Sequence, residues 1–566
     1  MKKLSLLFLI LFLGACTPLH QVRYTPSQWV RDNDRIPIAK PATSDQYLFA
    51  DILDYQFLYQ LQRLVNVALW FESGFAAMGL STRQEALNTN NFDKVPDSTW
   101  FTNRLGRRSL SVEEVVRGAN RGSGPDPKGP WTVLGGKTVG LAPGLLIKDP
   151  KGDRYLLKFD PPGHMFLATA AEIISTKIFY ALGFNVPENY LVDFKPKILN
   201  LSPKATTKDK KGNIVPFNQK SLKALFNRIP SLKEGVYHAL ASKFIDGEPI
   251  GPFSMDGRRR GDKNDRIPHQ LRRELRGYRV FSSLVAHHDS RGGNSLDTFI
   301  KTGPETKGYI QHYLIDFGST LGSMANRPKG KKHLGGYILD YGDVAGSLFS
   351  MGAYRPNWDE AADPRLLEVG VFQAKSFRPE KWRPAYPNPA FQQMTKRDAF
   401  WATQILMNLS DEHIAAIVKE GGYDNPHVEK YMTRTLIARR NKIGEVWFSK
   451  MNPIGNFKIT FQNGGTQITF EDFKIRFGLN RESSAAYRYR LRFSKGQWDL
   501  VPWTSISERT IILGPEVQSR MKEKPYYVQI QTKRNDEKFF GPSVDLIIQK
   551  KADGVEWLGL LRRYNH

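Results

Sequence analysis

Two short stretches near the middle of the chain carry residue types that could do chemistry. Val285-Ala286-His287-His288-Asp289-Ser290-Arg291-Gly292-Gly293-Asn294 sets an aspartate and an asparagine five positions apart on a glycine-bearing loop. Tyr313-Leu314-Ile315-Asp316-Phe317-Gly318 sets a second aspartate at the end of an apolar run. Carboxylate and amide oxygens are hard ligands, the kind a small divalent cation such as Mg2+ takes in octahedral geometry. A carboxylate on such a loop can also orient a hydroxyl or accept its proton. Asp289 and Asp316 could instead act together as the metal or general-base pair of a hydrolase. His287 and His288 do not read as a metal pair, because neighbours on an extended loop point in opposite directions. His287 is expected to pack beneath the loop.

The elements that must position these residues are legible in the flanking pattern. Short strands are expected at Trp131–Leu134, Gly144–Lys148 and Arg154–Phe159, joined by glycine-rich and Asp-Pro-Lys-Gly turns. A helix over Ala168–Leu182, stopped by Gly183, comes next, followed by a strand at Asn189–Phe194. Ser410, with acidic residues after it and Gly421 at the far end, marks a capped helix. Arg258 to Arg260 and then Arg272, Arg273 and Arg276 are guanidinium forks suited to phosphate or carboxylate. The second group also suits a solvated helix face leading into the loop. Beyond Asn452 apolar residues alternate at period two, as in Phe457–Phe461, Tyr487–Phe493, Tyr526–Gln531 and Val544–Gln549, which predicts a β-sandwich of roughly a hundred residues. On the other side of the break at Ser123–Pro130, Asp51–Glu72 has helical spacing and no proline, so it should pack on something.

In this order the two central motifs resemble the catalytic loop, H-x-D-x-x-x-x-N, and the D-F-G metal-binding motif of protein kinases. The Leu-Lys-Phe-Asp strand, the Ala-x-x-Glu helix followed by Gly183-Phe184-Asn185-Val186-Pro187, and a late helix ending in Arg439-Arg440 look closer to the atypical HipA-like and CotH-like kinases. The resemblance implies that Asp289 orients or deprotonates the attacking hydroxyl, that Asn294 and Asp316 hold Mg2+ (or Mn2+), and that Lys158 holds the phosphates of ATP or another nucleotide, with Glu172 as its ion-pair partner. Lys137 to Gly144, including Lys137 and Gly140, would cover the phosphates, although it does not match G-x-G-x-x-G. The stretch between the two motifs is longer than usual, and no Ala-Pro-Glu motif follows Asp316-Phe317-Gly318. Gly318 is expected to give the backbone freedom to turn away from the phosphates.

The one cysteine, Cys16, closes Leu13-Gly14-Ala15-Cys16 after a basic, apolar N-terminus, which resembles a bacterial lipoprotein signal with Cys16 lipidated. Thr17 follows, not the Asp that resembles an inner-membrane retention signal, so the expected place is the cell envelope, anchored at the outer membrane. With no second cysteine, disulfides and thiolate zinc sites are excluded within this sequence. A net charge of +26 favours polyanionic neighbours, and at the envelope these are anionic polymers or lipid headgroups, with nucleic acid not expected. The expected protein is therefore α+β: a signal (1–16), a tether (17–50), an N-terminal helical extension (51–125), a two-lobed kinase-like domain (126–447) and an all-β sandwich (452–566). The expected activity is phosphoryl or nucleotidyl transfer to a hydroxyl. The alternative is an inactive pseudokinase scaffold that binds an envelope glycan or protein.

Overall fold

The computed structural model describes residues 33–44, 84–138, 142–209, 212–303, 306–351, 353–356, 358–462, 464–479, 485–493, 499–552 and 554–564. Cys16, Gly140 and the expected helix over Asp51–Glu72 lie outside these residues. No described helix is long and apolar enough to cross a membrane.

The architecture is mixed α+β. A two-residue strand, β1 (Ile38–Ala39), and a capped helix, α1 (Val112–Arg117), precede the first large sheet. That sheet takes β2 (Trp131–Gly136), β3 (Gly144–Lys148), β4 (Arg154–Lys158), β5 (Asn189–Phe194), β6 (Leu199–Lys208), β7 (Ile214–Pro216) and β8 (Tyr237–Lys243), in the order β5-β8-β4-β3-β2-β6-β7. The expected strands are present. The extra ones, β6 to β8, carry weaker signals because β6 and β7 are largely half-exposed, with little apolar alternation to read. Between β4 and β5 runs α2 (Leu167–Ala181), apolar nearly all round and buried along its whole length except Tyr180. Its first turn has no cap from Phe166. Asp160 supplies one from six residues earlier, accepting from the amides of Phe166, Ala168 and Thr169 at 2.7–3.0 Å and from the Thr169 hydroxyl at 2.8 Å.

After helix α3 (Gln219–Phe226) and the short strand β9 (Glu248–Pro249) comes α4 (Arg273–Val285), which leads into the Asp289 loop. The long stretch between the two motifs is a hairpin, β10 (Ser295–Lys301) against β11 (Lys307–Leu314). The register Ser295↔Leu314 closes the hairpin directly beside both motifs. Helices α5 (Tyr341–Phe349), α6 (Pro389–Gln392), α7 (Lys396–Leu406), α8 (Asp411–Lys419) and α9 (Pro426–Ser449) complete this part. Ser410 caps α8 as expected, accepting from the His413 amide. The helix expected to end at Arg439-Arg440 runs on to Ser449. Both arginines turn inward, Arg439 to the carbonyls of Ser283, Leu284 and Gln373 and Arg440 to that of Leu409, so they lie within the helix rather than at its end.

The C-terminal strands form two sheets: β12 (Ile454–Gln462), β13 (Gly465–Asp472) and β16 (Thr510–Leu513), and the five-stranded β15-β14-β17-β18-β19. The latter uses β14 (Ala485–Phe493), β15 (Asp499–Ile506), β17 (Pro525–Arg534), β18 (Val544–Lys551) and β19 (Gly554–Arg562). Both sheets feed one apolar core that includes Ile468, Tyr489, Leu491, Val528 and Leu546.

Two arginine readings are corrected. Arg273 and Arg276 are fully buried and are neither a solvated face nor a phosphate site. Arg273 pairs with Asp93 at 2.5 Å and Asp398 at 3.0 Å, and Arg276 with Asp398 at 3.1 Å. Arg272 pairs with Asp265 at 3.3 Å, and Arg259 with the buried Asp297 at 2.8 Å. Of these carboxylates Asp93 comes from the segment around residues 84–105, which lies against α4. Val95, Trp100, Phe101 and Leu105 share one core with α2 and α4. That same segment meets the last strand: the Leu560 amide donates to Asn91 O at 2.8 Å, Arg562 lies 3.5 Å from Asp93, and Tyr564 donates to Glu85 at 2.6 Å.

Candidate active site

Lys158 ends β4 opposite Leu240 of β8. Its ammonium donates to both oxygens of Glu172 on α2, at 2.7 and 2.9 Å, and to Asp316 Oδ1 at 3.0 Å. One cation therefore ties three elements that are 14 and 158 residues apart in the chain. Glu172 is buried, with 3 % of its side chain exposed, whereas Asp316 keeps 43 % and is open toward solvent.

The charges divide accordingly. Burial alone would lower the Lys158 ammonium, but the two carboxylates outweigh it and hold it above its ordinary range. The Lys158 charge brings Asp316 down to about 2. Burial raises Glu172, and the negative Asp316 adds to that rise. Lys137 faces the same void and is lowered by burial and then by the like charge on Lys158. Asp316 itself sits in the left-handed region, at φ 60°, a conformation aspartate tolerates better than most residues. Gly318 does not take a positive φ, which corrects the expectation that backbone freedom explains it. A Cβ there would come 3.3 Å from Glu172 Oε2, close enough that this carboxylate would have to shift by a few tenths of an ångström.

α4 ends at Ala286, also left-handed at φ 50°, and the loop that follows is held from below. The Leu321 amide donates to Val285 O at 2.8 Å, and the Ala385 amide to His288 O at 2.7 Å. Lys329, buried and lowered well below its ordinary range by that burial, donates to Ala286 O at 2.6 Å and Ser319 O at 2.8 Å. His287 packs among the rings of Phe179, Tyr278 and Phe317, and burial lowers it to about 3. On top of the loop, Asn294 Nδ2 donates to both the backbone oxygen and Oδ2 of Asp289, each at 2.9 Å. Arg291 Nε holds Asp289 Oδ1 at 2.7 Å. Burial raises Asp289, against the pull of Arg291 and Asn294. The Ile315 amide donates to Asn294 O at 3.0 Å, so Asn294 and Asp316 flank the same end of the hairpin.

The structure thus brings Lys158, Glu172, Asp316 and Lys137 around one void and sets Asp289 and Asn294 beside Asp316. Three positioning residues escape sequence reading. Asp160 had a usable signal in the Asp-Pro-Pro-Gly turn ahead of α2. Arg291 and Lys329 had none, since a lone cation in a loop reads as solvated. Among the described residues the void is about 40 Å3, lined by Lys137, Ala142, Phe159, Leu240 and Ala325 as well as the charged trio. That is room for very few waters, against about 300–1,000 Å3 for a small-molecule site. The donor set nevertheless fits a hard cation through Asp316 and Asn294, and the paired ammoniums of Lys158 and Lys137 fit phosphate oxygens.

No protein-family model matches the sequence, and no curated protein is similar to it at a significant level. Among solved structures, the chain is similar to the Helicobacter pylori proinflammatory kinase CtkA, at 13% identity and a TM-score of 0.30, over 55% of this chain and 93% of that one. It is also similar to the Golgi casein kinase, at 11% identity and a TM-score of 0.29, over 60% of this chain and 77% of that one.

Proposed function

We propose that residues 126–447 form a two-lobed atypical kinase that transfers a phosphoryl or nucleotidyl group from ATP or another nucleotide to a hydroxyl, with Mg2+ or Mn2+. The observation that carries this reading is the Lys158 ammonium shared between Glu172 and Asp316, next to a loop aspartate held by an asparagine. Lys158 and Lys137 bind phosphate oxygens, and Glu172 keeps Lys158 charged and fixed. Asp289, raised by its burial, receives the hydroxyl proton, while Asn294 and Arg291 set its orientation. The divalent ion, when bound at Asp316 and Asn294, neutralises charge on the phosphates. The N-terminal extension and the C-terminal β-sandwich flank this domain, and Cys16 carries the lipid that holds the protein at the outer membrane beside anionic envelope polymers and headgroups.

The test is thermal. Mg2+ with a nucleotide should raise the melting temperature, because a ligand that binds only the native state stabilises it by mass action. Asp316→Ala should remove the Mg2+-dependent part of the rise. A second reading, a pseudokinase scaffold for an envelope glycan or protein, is favoured by two features: both Asp289 oxygens are already engaged, and the void is only about 40 Å3. No shift with ATP, GTP or UTP, under Mg2+ or Mn2+, would select it. For the anchor, Cys16→Ser should leave an uncleaved precursor that takes up no labelled palmitate. A mature, acylated mutant would refute it.

A further inference from the structure

Away from the Lys158 cleft, α9 presents a row of cations on one face. His427, Lys430 and Arg434 follow one another at helical spacing, with Tyr431, Thr435 and Ala438 between and beyond them on the same face. Together with Ala374 they line an open groove of about 480 Å3, within the size range of small-ligand sites. His427, Lys430 and Arg434 are exposed, and among the described residues no carboxylate pairs with any of them. Glu429 falls on a different face of the helix.

The wall facing this row is built, not incidental. Four consecutive carbonyls of the 372–375 strap accept from α9 side chains: Phe372 O from the Tyr431 hydroxyl at 2.6 Å, Gln373 O from Arg439 at 2.7 Å, and Ala374 O and Lys375 O from Lys442 at 2.7 and 2.9 Å. Arg439 is clamped between the rings of Phe372 and Phe377, at 4.7 and 3.7 Å. The strap is therefore tied to the helix at four successive carbonyls. Lys442, next along the row, adds another positive charge beside Arg378. A groove with two cations, Lys430 and Arg434, the His427 imidazole beside them and a short apolar floor has a chemical complement, a compact dianion attached to a small uncharged body.

We propose that the groove between α9 and the 372–375 strap binds a phosphate-bearing ligand of sugar size, with Lys430 and Arg434 on the phosphate and the body of the ligand along Ala374, Tyr431 and Ala438. Arg434 supplies the two-pronged contact and Lys430 the point charge. This site is separate from the Lys158 cleft and does not depend on the kinase reading.

The experiment uses the full chain in non-ionic detergent and titrates a hexose 6-phosphate, inorganic phosphate and the neutral hexose by calorimetry. Hexose phosphate should bind, and the double variant Lys430→Gln with Arg434→Gln should weaken it at least about tenfold, as expected for losing charge-assisted hydrogen bonds. Both side chains are exposed, so the melting temperature should hold. The charge-keeping variant Lys430→Arg should retain most of the binding, which separates lost charge from lost fold. Lys158→Ala should leave the affinity within about twofold of the wild type, which assigns the binding to this groove and not to the cleft. Tighter binding of the hexose phosphate than of inorganic phosphate places the sugar in the groove, and equal binding makes phosphate alone the determinant. Either result supports the site. Absence of binding by both phosphates, equal binding of the neutral hexose, or unchanged affinity in the glutamine variant would overturn it.

Discussion

Asp289→Asn is expected to keep nucleotide affinity while turnover falls by about 10²–10⁴, the range of a lost general base. Asp316→Asn is expected to lose both. The two carboxylates are neighbours, yet their surroundings differ. Asp316 is open, depressed by Lys158, and sits beside the lysine that would take the phosphates. Asp289 is raised by burial and held through both oxygens by Arg291 and Asn294. Removing the Asp289 charge frees Arg291 and leaves the Lys158–Glu172–Asp316 trio intact. Removing that of Asp316 takes away one of the two carboxylates holding Lys158 and the strongest oxygen donor for a divalent ion. The measurement is turnover beside nucleotide affinity for each variant. Unchanged turnover in Asp289→Asn would remove it from the mechanism, and equal loss of affinity in both would make the pair one metal site, as in a hydrolase.

The largest effect on stability is expected at Asp398, far from the chemistry. Its two oxygens meet Arg273 and Arg276, and all three side chains are buried to within 1 %. It also closes the capping box of α7 by accepting from the Thr395 amide at 3.0 Å. Asp398→Ala leaves Arg276 with no carboxylate partner among the described residues and Arg273 with Asp93 alone, and breaking a buried pair in this way costs about 3–5 kcal/mol. The cap adds about 1 kcal/mol. Urea unfolding should show a clear drop in midpoint or an unfolded protein, and a midpoint within error of wild type would mean that water reaches these arginines. Asp398→Asn should fall between, since it can still satisfy part of the hydrogen bonding without the charge.

What could be read beforehand depended on where each residue's partner lay. The strand–turn–strand pattern before Lys158, the α2 helix with its Gly183 stop and the Ser410 cap are signals within one or two turns of chain, and all of them hold in the structure. The pairing of Lys158 with Glu172 also has a short span, 14 residues. Long-range partners could not be read. Arg273 reads equally as a phosphate or carboxylate fork and as part of a solvated helix face, because nothing in the local sequence announces Asp93, 180 residues away. Arg439 carries no sign that it turns from the helix surface to cap α4, 155 residues earlier. Gly318 was assigned to conformational freedom, the local explanation, when the crowding by Glu172 is a tertiary fact.

The contact between Asp93 and the last strand has a consequence for how this protein must be made. Asp93 sits in the same buried cluster as Arg273, Arg397 and Arg562, and these cations hold its carboxyl far below the usual range. Of the four residues, Arg562 is the last to leave the ribosome. Asp93 lies far upstream of it, so a chain grown N-terminus first cannot finish the packing around α4 until synthesis is nearly over. The loop bearing Asp289 hangs from the far end of that helix. The last strand thus acts as a completion signal: a chain halted before it lacks the Leu560 and Arg562 contacts and leaves the cluster around Asp93 short of one cation.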